Sequence, residues 1–151
     1  MPGNTTNEAT RGEQALIVDT SALIAASTKE RGHERLRAAL TSVEVAIPAP
    51  VIVEFERVTA LAKNVPDPNA AAFLAMLIDL GAIVMPFDVA MARAAANANE
   101  AHGSGNGRGS LLNLLGLMVY GVAKVTGLPI LCTGKDFAST DAVIHPASRI
   151  G

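Results

Sequence analysis

Four short apolar runs alternate along the chain with longer segments in which apolar residues recur at helical spacing. The length of these runs and their β-branched residues predict buried strands. They are ALIVD at 15–19, VEVAIP at 43–48, AIVMPF at 82–87 and PILCT at 129–133. The intervening patterns predict helices at 22–27, 34–42, 51–64, 67–81, 88–101 and 110–126.

This alternation of strand and helix predicts an α/β fold with a parallel sheet and helices on both of its faces. In such folds ligands bind at the carboxyl ends of the strands. A length of 151 residues fits one domain, which we expect at 15–151. The polar residues 1–14 are predicted to form a disordered or artificially appended leader. Residues 102–110, HGSGNGRGS, are predicted to form a flexible loop.

The composition excludes several classes of protein. A net charge of −2 rules out a strongly basic coat, and an aromatic content of 3% without Trp disfavours a base-stacking platform. The single Cys132 excludes an internal disulfide and a Cys-rich zinc site, and it fits a reducing cytoplasm. No apolar run reaches about 18 residues, so we expect a protein that is neither secreted nor inserted in a membrane.

Carboxylates at the ends of separate strands predict a metal site. Asp19 ends the first predicted strand, Asp136 follows the last, and Glu54 lies on an intervening helix. Grouped carboxylates repel one another until a cation such as Mg²⁺ neutralises them. Taken singly, Asp19 could cap a helix, Glu54 could be a solvated charge and Asp136 a turn residue. Ser21 could orient a carboxylate or water, or cap the first helix.

Taken together, these segments resemble the PIN-domain ribonucleases, and specifically the VapC toxins of bacterial toxin–antitoxin pairs. The resemblance is carried by ALIVDTSALIA at 15–25, APVIVEF at 49–55, IVMPFD at 83–88 and LLNLLGLMVYGVAKVTGLPILCTGKDFASTD at 111–141. It implies a three-layer α/β/α fold around a central parallel sheet of four or five strands.

The resemblance also implies a function. In that family, acidic residues hold Mg²⁺ or Mn²⁺, and water attacks a phosphodiester of RNA. Asp19, Glu54 and Asp136 match three of the family's metal ligands, with Asp141 at best an auxiliary one. Ser21 and Thr133 would orient ligands or phosphate. The expected partners are a VapB-type antitoxin, an RNA substrate and a second copy of the chain, all inside the bacterial cell.

One position departs from the family pattern. The family's third acid normally occurs as LNxxD, whereas this chain has Gly116 in that place, and no Asp or Glu lies between Glu100 and Asp136. The leading hypothesis is therefore a metal-dependent endoribonuclease that Gly116 impairs. The alternative is an inactive PIN module that binds antitoxin or RNA. An aspartyl-phosphate enzyme is disfavoured because Ser21 stands where a second acid is needed.

Two further sets of residues are candidates for binding partners. The first set is basic and consists of Arg31, Arg35, Arg37, Arg108 and Lys124. These side chains could be solvated surface charges, but any that lie near the crevice would contact RNA phosphates. The helix at 69–80 carries more large apolar residues than one face needs, which predicts contact with another chain, and the alternative is a helix buried within the monomer.

Overall fold

The structure is a computed structural model that describes residues 14–149. Of the leader predicted at 1–14, only Gln14 falls within this range, so that prediction stays outside the described residues. Within the range the chain forms four strands, six α-helices and one 3₁₀ turn. The strands are β1 Leu16–Val18, β2 Val45–Pro48, β3 Ile83–Met85 and β4 Ile130–Leu131. The helices are α1 Thr20–Ser27, α2 His33–Ser42, α3 Ala49–Thr59, α4 Pro68–Asp79, α5 Val89–His102 and α6 Leu114–Thr126, and the 3₁₀ turn is Ala62–Asn64.

The described strands form a four-stranded parallel sheet in the order β3-β2-β1-β4. Strand β1 lies inside the sheet, with Leu16 opposite Val45 and Ile17 opposite Ile130. All three residues of β1 are fully buried. This explains why the strand is a continuous apolar run instead of an alternating one. The predicted α/β fold with a parallel sheet is confirmed.

The strand order determines how the helices are distributed. The chain moves in one direction from β1 to β3 and then returns across the sheet to β4. Because such crossovers are right-handed, α1–α4 cover one face and α5 and α6 cover the other. The packing agrees with this arrangement, since α5 packs along α6, and α1 contacts α2, α3 and α4. Among residues 14–149, no helix is long and apolar enough to cross a membrane.

Two predicted helices have different ends in the structure. Helix α3 ends at Thr59 rather than at residue 64, because the backbone of Ala60 leaves the helical region with a ψ value of 143°. Lys63 and Asn64 further on adopt positive φ values of 61° and 57°. Helix α6 begins at Leu114 rather than at residue 110. The side chain of Asn113 accepts a hydrogen bond from the Gly116 N–H at 2.8 Å and so caps the helix there.

The glycine-rich segment at 102–110 is closed by hydrogen bonds of its own. The Asn106 amide donates to the Glu100 carbonyl and to Ser110 Oγ, both at 2.9 Å. Three alternate glycines, at 105, 107 and 109, have φ values between 74° and 81°. Positive φ is unfavourable for other residues, so the glycines fit the turns of this loop.

Close packing of α5 against α6 generates the first prediction. A Cβ atom at Gly121 would lie 2.5 Å from the Met91 carbonyl oxygen, which is backbone of α5. Gly121→Ala should therefore lower the free energy of unfolding by about 1–3 kcal/mol in urea titrations. The matched control is Gly116→Ala on the same helix, where the nearest atom, Leu112 Cδ2 at 3.2 Å, belongs to a flexible side chain. Equal losses in both variants would contradict the packing described here.

Candidate active site

A cavity of about 220 Å³ lies where β1, α3, α6 and the segment after β4 meet. We call it the acid pocket. It is lined by Asp19, Thr20, Ser21, Ile24, Glu54, Asn113, Leu115, Gly116, Asp136 and Phe137. The three acids predicted as metal ligands thus come together from distant parts of the chain, and Gly116 lies in the same wall.

The sheet positions these residues. Asp19 directly follows β1 and is the N-cap of α1, while Asp136 follows β4, the strand that pairs with β1. The carboxyl ends of adjacent parallel strands lie at the same edge of a sheet, which brings residues 117 positions apart into one pocket. Glu54 lies on α3, the helix that follows β2, and β2 pairs with β1 on its other side.

Asp19 is a buried carboxylate with few partners. Its Oδ2 atom accepts hydrogen bonds from the Ser21 N–H at 3.1 Å and from Ser21 Oγ at 2.5 Å. Burial raises the pKa of Asp19, and the negative charge of Glu54 raises it further, whereas the bonds from Ser21 act in the opposite direction. The net increase shows that the pocket disfavours an isolated negative charge at this position.

Ser21 connects two strands through its hydroxyl group. Ser21 Oγ donates to Asp19 and accepts a hydrogen bond from the backbone N–H of Thr133 at 3.0 Å. Thr133 therefore contributes through its backbone, and its side chain does not line the acid pocket. The expectation that the Thr133 side chain orients a ligand gains no support from this geometry.

Glu54 is half-buried and Asp136 is exposed. Among the described residues, no Lys, Arg or His lies within 4 Å of a carboxylate oxygen of Asp19, Glu54 or Asp136. The neighbouring Cys132 is buried, and its pKa rises to about 11, mainly through burial and also through the charges of Asp19 and Asp136. A thiol with such a pKa is protonated at neutral pH and is not a nucleophile.

The donor set of the acid pocket fits a hydrated divalent cation. Within residues 14–149, no three His, Cys, Asp or Glu side chains are gathered tightly enough to enclose a metal by themselves. Mg²⁺, however, is commonly held by one or two carboxylates and keeps several waters. The mutually repelling Asp19 and Glu54 supply such a pair. The Thr20 hydroxyl in the same wall is buried without a hydrogen-bond partner among these residues.

Gly116 occupies the third position of α6, in the first turn rather than in the helix interior that the sequence pattern indicated. It is buried, and an added Cβ would lie 3.2 Å from Leu112 Cδ2 and 3.3 Å from Asn113 Oδ1. Both neighbours are side-chain atoms, so a Cβ fits here once the buried Leu112 and the capping Asn113 shift by a few tenths of an ångström. No backbone of another element blocks a side chain at this wall of the acid pocket.

Asp141 does not line the acid pocket. Its carboxylate instead accepts hydrogen bonds from Tyr120 Oη at 2.5 Å and from Lys124 Nζ at 2.6 Å. Lys124 and Tyr120 hold the pKa of Asp141 at about 2. The His102 ring packs at 5.1 Å from the Tyr120 ring, with Nε2 3.9 Å from the carboxylate. The suggested auxiliary ligand is thus engaged in joining α6 to the segment after β4.

The basic residues singled out in the sequence lie outside the acid pocket. Arg37 Nε donates to the Ala26 carbonyl at 2.8 Å, and its guanidinium lies 4.9 Å from the centre of the Phe73 ring. Arg35 donates to the Pro146 carbonyl at 2.8 Å. Arg108 lies 4.0 Å from Glu100. Arg37 thus links α2 to α1 and α4, and Arg35 links α2 to the loop at Pro146.

Two polar residues of the pocket escaped the sequence analysis. Asn113 precedes the apolar helix and is a residue type favoured at N-caps, so its capping role had a local signal. Thr20 stands between Asp19 and Ser21, but nothing in the sequence distinguishes a paired hydroxyl from an unpaired one. Its environment is created by α3 and α6, which are distant in the chain.

The comparisons with known proteins agree with this fold. The family model for the PIN domain matches residues 16–143. Ribonuclease VapC42 of Mycobacterium tuberculosis is 37% identical over 134 residues, covering 87% of this chain and 98% of the relative. The chain therefore belongs to the PIN domain family. Ribonuclease VapC30 of the same organism is 28% identical over 126 residues, covering 83% of this chain and 95% of the relative.

Solved structures show the same fold at low sequence identity. The chain matches the toxin VapC20 of Mycobacterium tuberculosis, described as cleaving the sarcin-ricin loop, with a TM-score of 0.67 and 15% identity. That match covers 87% of this chain and 99% of the toxin. VapBC2 from Rickettsia felis, bound to a promoter DNA fragment, matches with a TM-score of 0.62 and 13% identity, covering 91% and 98% of the two chains.

The pKa of Asp141 predicts a pH-dependent contribution to stability. Because the folded-state pKa of about 2 lies below the ordinary aspartate pKa of 3.8, the ionised carboxylate stabilises the fold above about pH 4. This contribution is lost as the pH falls towards 2. The group is more than half exposed, so Asp141→Asn should cost at most about 1 kcal/mol at pH 7.

Urea titrations of the native chain and of Asp141→Asn between pH 7 and pH 2.5 measure the difference between their free energies of unfolding. His102, Tyr120 and Lys124 are the other titratable groups that face Asp141, and they are present in both chains. The stability difference should shrink as the pH falls. A difference that grows towards low pH would contradict the assignment.

Proposed function

We propose that this chain is a VapC-like toxin that cleaves RNA as a metal-dependent endoribonuclease in the bacterial cytoplasm. The observation that carries this proposal is the convergence of Asp19, Glu54 and Asp136 in one pocket of a PIN fold. Its relatives at 37% identity are named ribonucleases, which supports the same reaction class. Mg²⁺ or Mn²⁺ is the cation that an all-oxygen donor set would take.

The residues of the acid pocket would have different roles in this reaction. Asp19, Glu54 and Asp136 would hold the cation, which supplies Lewis-acid stabilisation of the phosphate and lowers the pKa of water. Ser21 fixes the orientation of the Asp19 carboxylate through two hydrogen bonds. Among the described residues none of these three acids takes part in an ion pair. One of them, or a hydroxide held by the cation, would accept the proton of the water that attacks the phosphodiester.

Gly116 weakens this machinery because it removes a carboxylate from the wall that faces Asp19 and Asp136. Fewer oxygen ligands and less negative charge reduce affinity for the cation. The competing function follows from the same observation. A chain that keeps the fold but binds no cation would act as an inactive PIN module that binds antitoxin or RNA.

An apolar groove adjoins the acid pocket and is the proposed docking surface for a VapB-type antitoxin. It has a volume of about 950 Å³ and shares Glu54, Asn113 and Leu115 with the pocket. Its apolar walls include Val53, which is 69% exposed, and Leu114, which is 76% exposed. Structural relatives include toxin–antitoxin complexes, which supports an antitoxin partner.

The expected homodimer has less support from α4 than its sequence indicated. Phe73 and Leu77 are buried in the chain's own core, which leaves Met76, Ile78 and Leu80 as exposed apolar residues. A second copy of the chain would therefore meet a narrower apolar surface than the whole 69–80 segment. The homodimer remains a proposal, and sedimentation measurements of the chain without antitoxin would test it.

Restoring the missing carboxylate should increase RNA cleavage. Gly116→Asp would add an oxygen ligand in the wall of the acid pocket, where the backbone leaves room for a Cβ. We expect at least about a 100-fold higher cleavage rate with Mg²⁺ or Mn²⁺, the size of effect typical for one electrostatic group at a reaction centre. Cleavage of total bacterial RNA and growth arrest on expression would measure it.

Gly116→Asn is the control, because it has the size of Asp without the charge. It should remain as inactive as the glycine chain. If the Asp variant cleaves no RNA while the glycine chain cleaves well, position 116 is not the missing ligand. If neither chain cleaves RNA but both bind antitoxin, the inactive binding module is the correct function.

The groove proposal predicts weaker antitoxin binding when Leu114 loses its apolar side chain. Burial of a Leu side chain contributes about 1.5–3 kcal/mol, so Leu114→Gln should weaken binding of the cognate VapB-type antitoxin about tenfold or more. Val89→Gln is the matched control, since Val89 is also the first residue of a helix, is 84% exposed and lies outside the groove. Equal calorimetric affinities for the two variants would contradict docking in the groove.

A further inference from the structure

Arg57 is the only basic residue, within the part of the chain that the structure describes, that lines either cavity of the candidate active site. It lies on α3, is exposed, and lines the apolar groove, which shares Glu54, Asn113 and Leu115 with the acid pocket. Residues three positions apart on a helix are neighbours, with Cβ atoms about 5–6 Å apart. Arg57 therefore stands about one helical turn along from Glu54, an acid of the pocket.

The positive charge of Arg57 has no carboxylate partner among the described residues. No Asp or Glu oxygen of residues 14–149 lies within 4 Å of its guanidinium. By contrast, Arg35 and Arg37 donate to backbone carbonyls, and Lys124 donates to Asp141 at 2.6 Å. An exposed arginine on an apolar wall packs its aliphatic stem there and keeps its guanidinium in water. The guanidinium is thus available to a partner that lies across the edge of the groove.

The charges around Arg57 favour a phosphate as that partner. Three carboxylates line the acid pocket, and no basic residue of the described chain lines it with them. One divalent cation would leave the ionised pocket with a net negative charge, which repels the phosphates of an approaching RNA strand. A guanidinium one helical turn away offsets part of this repulsion and can bind a phosphate through two parallel hydrogen bonds. A protein partner needs no anion at this point, whereas RNA always brings one.

We propose that Arg57 binds a phosphate of the RNA strand next to the phosphate that faces the acid pocket. This role rests on the proposed ribonuclease function. RNA carries one phosphate per nucleotide, so a strand with one phosphate at the acid pocket presents another to the neighbouring wall. A backbone contact contributes affinity and position and carries no sequence information. The apolar walls of the groove stay available to the antitoxin.

Salt-dependent RNA binding tests this contact. The probe is a fluorescein-labelled single-stranded RNA of mixed sequence, which is titrated with the native chain in Mg²⁺ at several KCl concentrations and checked for integrity on a gel. Arg57→Gln removes the charge. We expect about tenfold weaker binding, the size typical of lost hydrogen bonds to a charged group. The slope of log affinity against log salt should shrink by about 0.7, the share of one phosphate contact with a single strand.

Arg57→Lys separates the charge from the shape of the guanidinium. It should keep the native salt slope, because it keeps the charge. Its affinity should fall about threefold, because an ammonium group cannot bind a phosphate through the planar fork of a guanidinium. Arg57 also lies in the last turn of α3, where a cation interacts favourably with the helix dipole. A role in stability alone would lower the Tm of Arg57→Gln and leave the salt slope unchanged.

Arg93→Gln is the matched control. Arg93 is likewise an exposed helical arginine without an ion pair among the described residues, and it lines neither cavity. Its removal should leave the RNA affinity within about twofold and the salt slope unchanged. The proposal is overturned if Arg57→Gln binds the RNA with the native affinity and slope. It is also overturned if Arg57→Gln weakens only the binding of the cognate antitoxin, because the guanidinium would then serve the protein partner.

Cleavage on the Gly116→Asp background separates this proposal from the proposed function. There Arg57→Gln should raise KM about tenfold and change kcat by less than about twofold, because the contact binds substrate and transition state alike. If Gly116→Asp cleaves RNA and Arg57→Gln leaves its KM unchanged, the ribonuclease function stands and the role of Arg57 fails. If RNA binding depends on Arg57 but neither the native chain nor Gly116→Asp cleaves RNA, the phosphate contact stands and the ribonuclease function is wrong.

Discussion

The hydroxyl of Ser21 holds together the two strands on which the acid pocket depends. It donates to the Asp19 carboxylate at the end of β1 and accepts the Thr133 N–H at the end of β4. Strand β4 is adjacent to β1 only because the chain returns across the sheet after β3. The bond therefore fixes the relative position of two segments more than 100 residues apart, and with them the separation of Asp19 from Asp136.

Burial gives the Asp19 carboxylate its chemical character. The sheet interior and α1 shield it from water, and the charge of Glu54 acts on it from α3, so its pKa is raised despite the two bonds from Ser21. A pocket of this kind gains from a bound cation, since the cation removes a repulsion that folding creates. The fold thus carries an electrostatic cost at Asp19 that a bound cation would relieve.

The sequence was informative wherever the determinant is local. The four strands, and the caps formed by Asp67 and Asp88, follow from apolar runs and from short polar side chains that precede helices. The strand order, the capture of Asp141 by Tyr120 and Lys124, and the unpaired hydroxyl of Thr20 depend on contacts between distant segments. No periodicity encodes those contacts. The convergence of Asp19 and Asp136 was predictable from their positions after separate strands of a parallel sheet, and the resemblance to a family strengthened the prediction for Glu54.

Packing requires glycine at only one of the two buried glycine positions of α6. At Gly121 the backbone of α5 passes so closely that a Cβ would lie 2.5 Å from the Met91 carbonyl oxygen, so packing requires glycine there. Gly116 has neither a positive φ nor a backbone atom of another element against its Cβ position. An acidic side chain in the first turn would even interact favourably with the helix dipole. The fold therefore does not require glycine at 116. The family pattern implies an acid at this position, so the consequence of the glycine is that the acid pocket has one negative charge fewer.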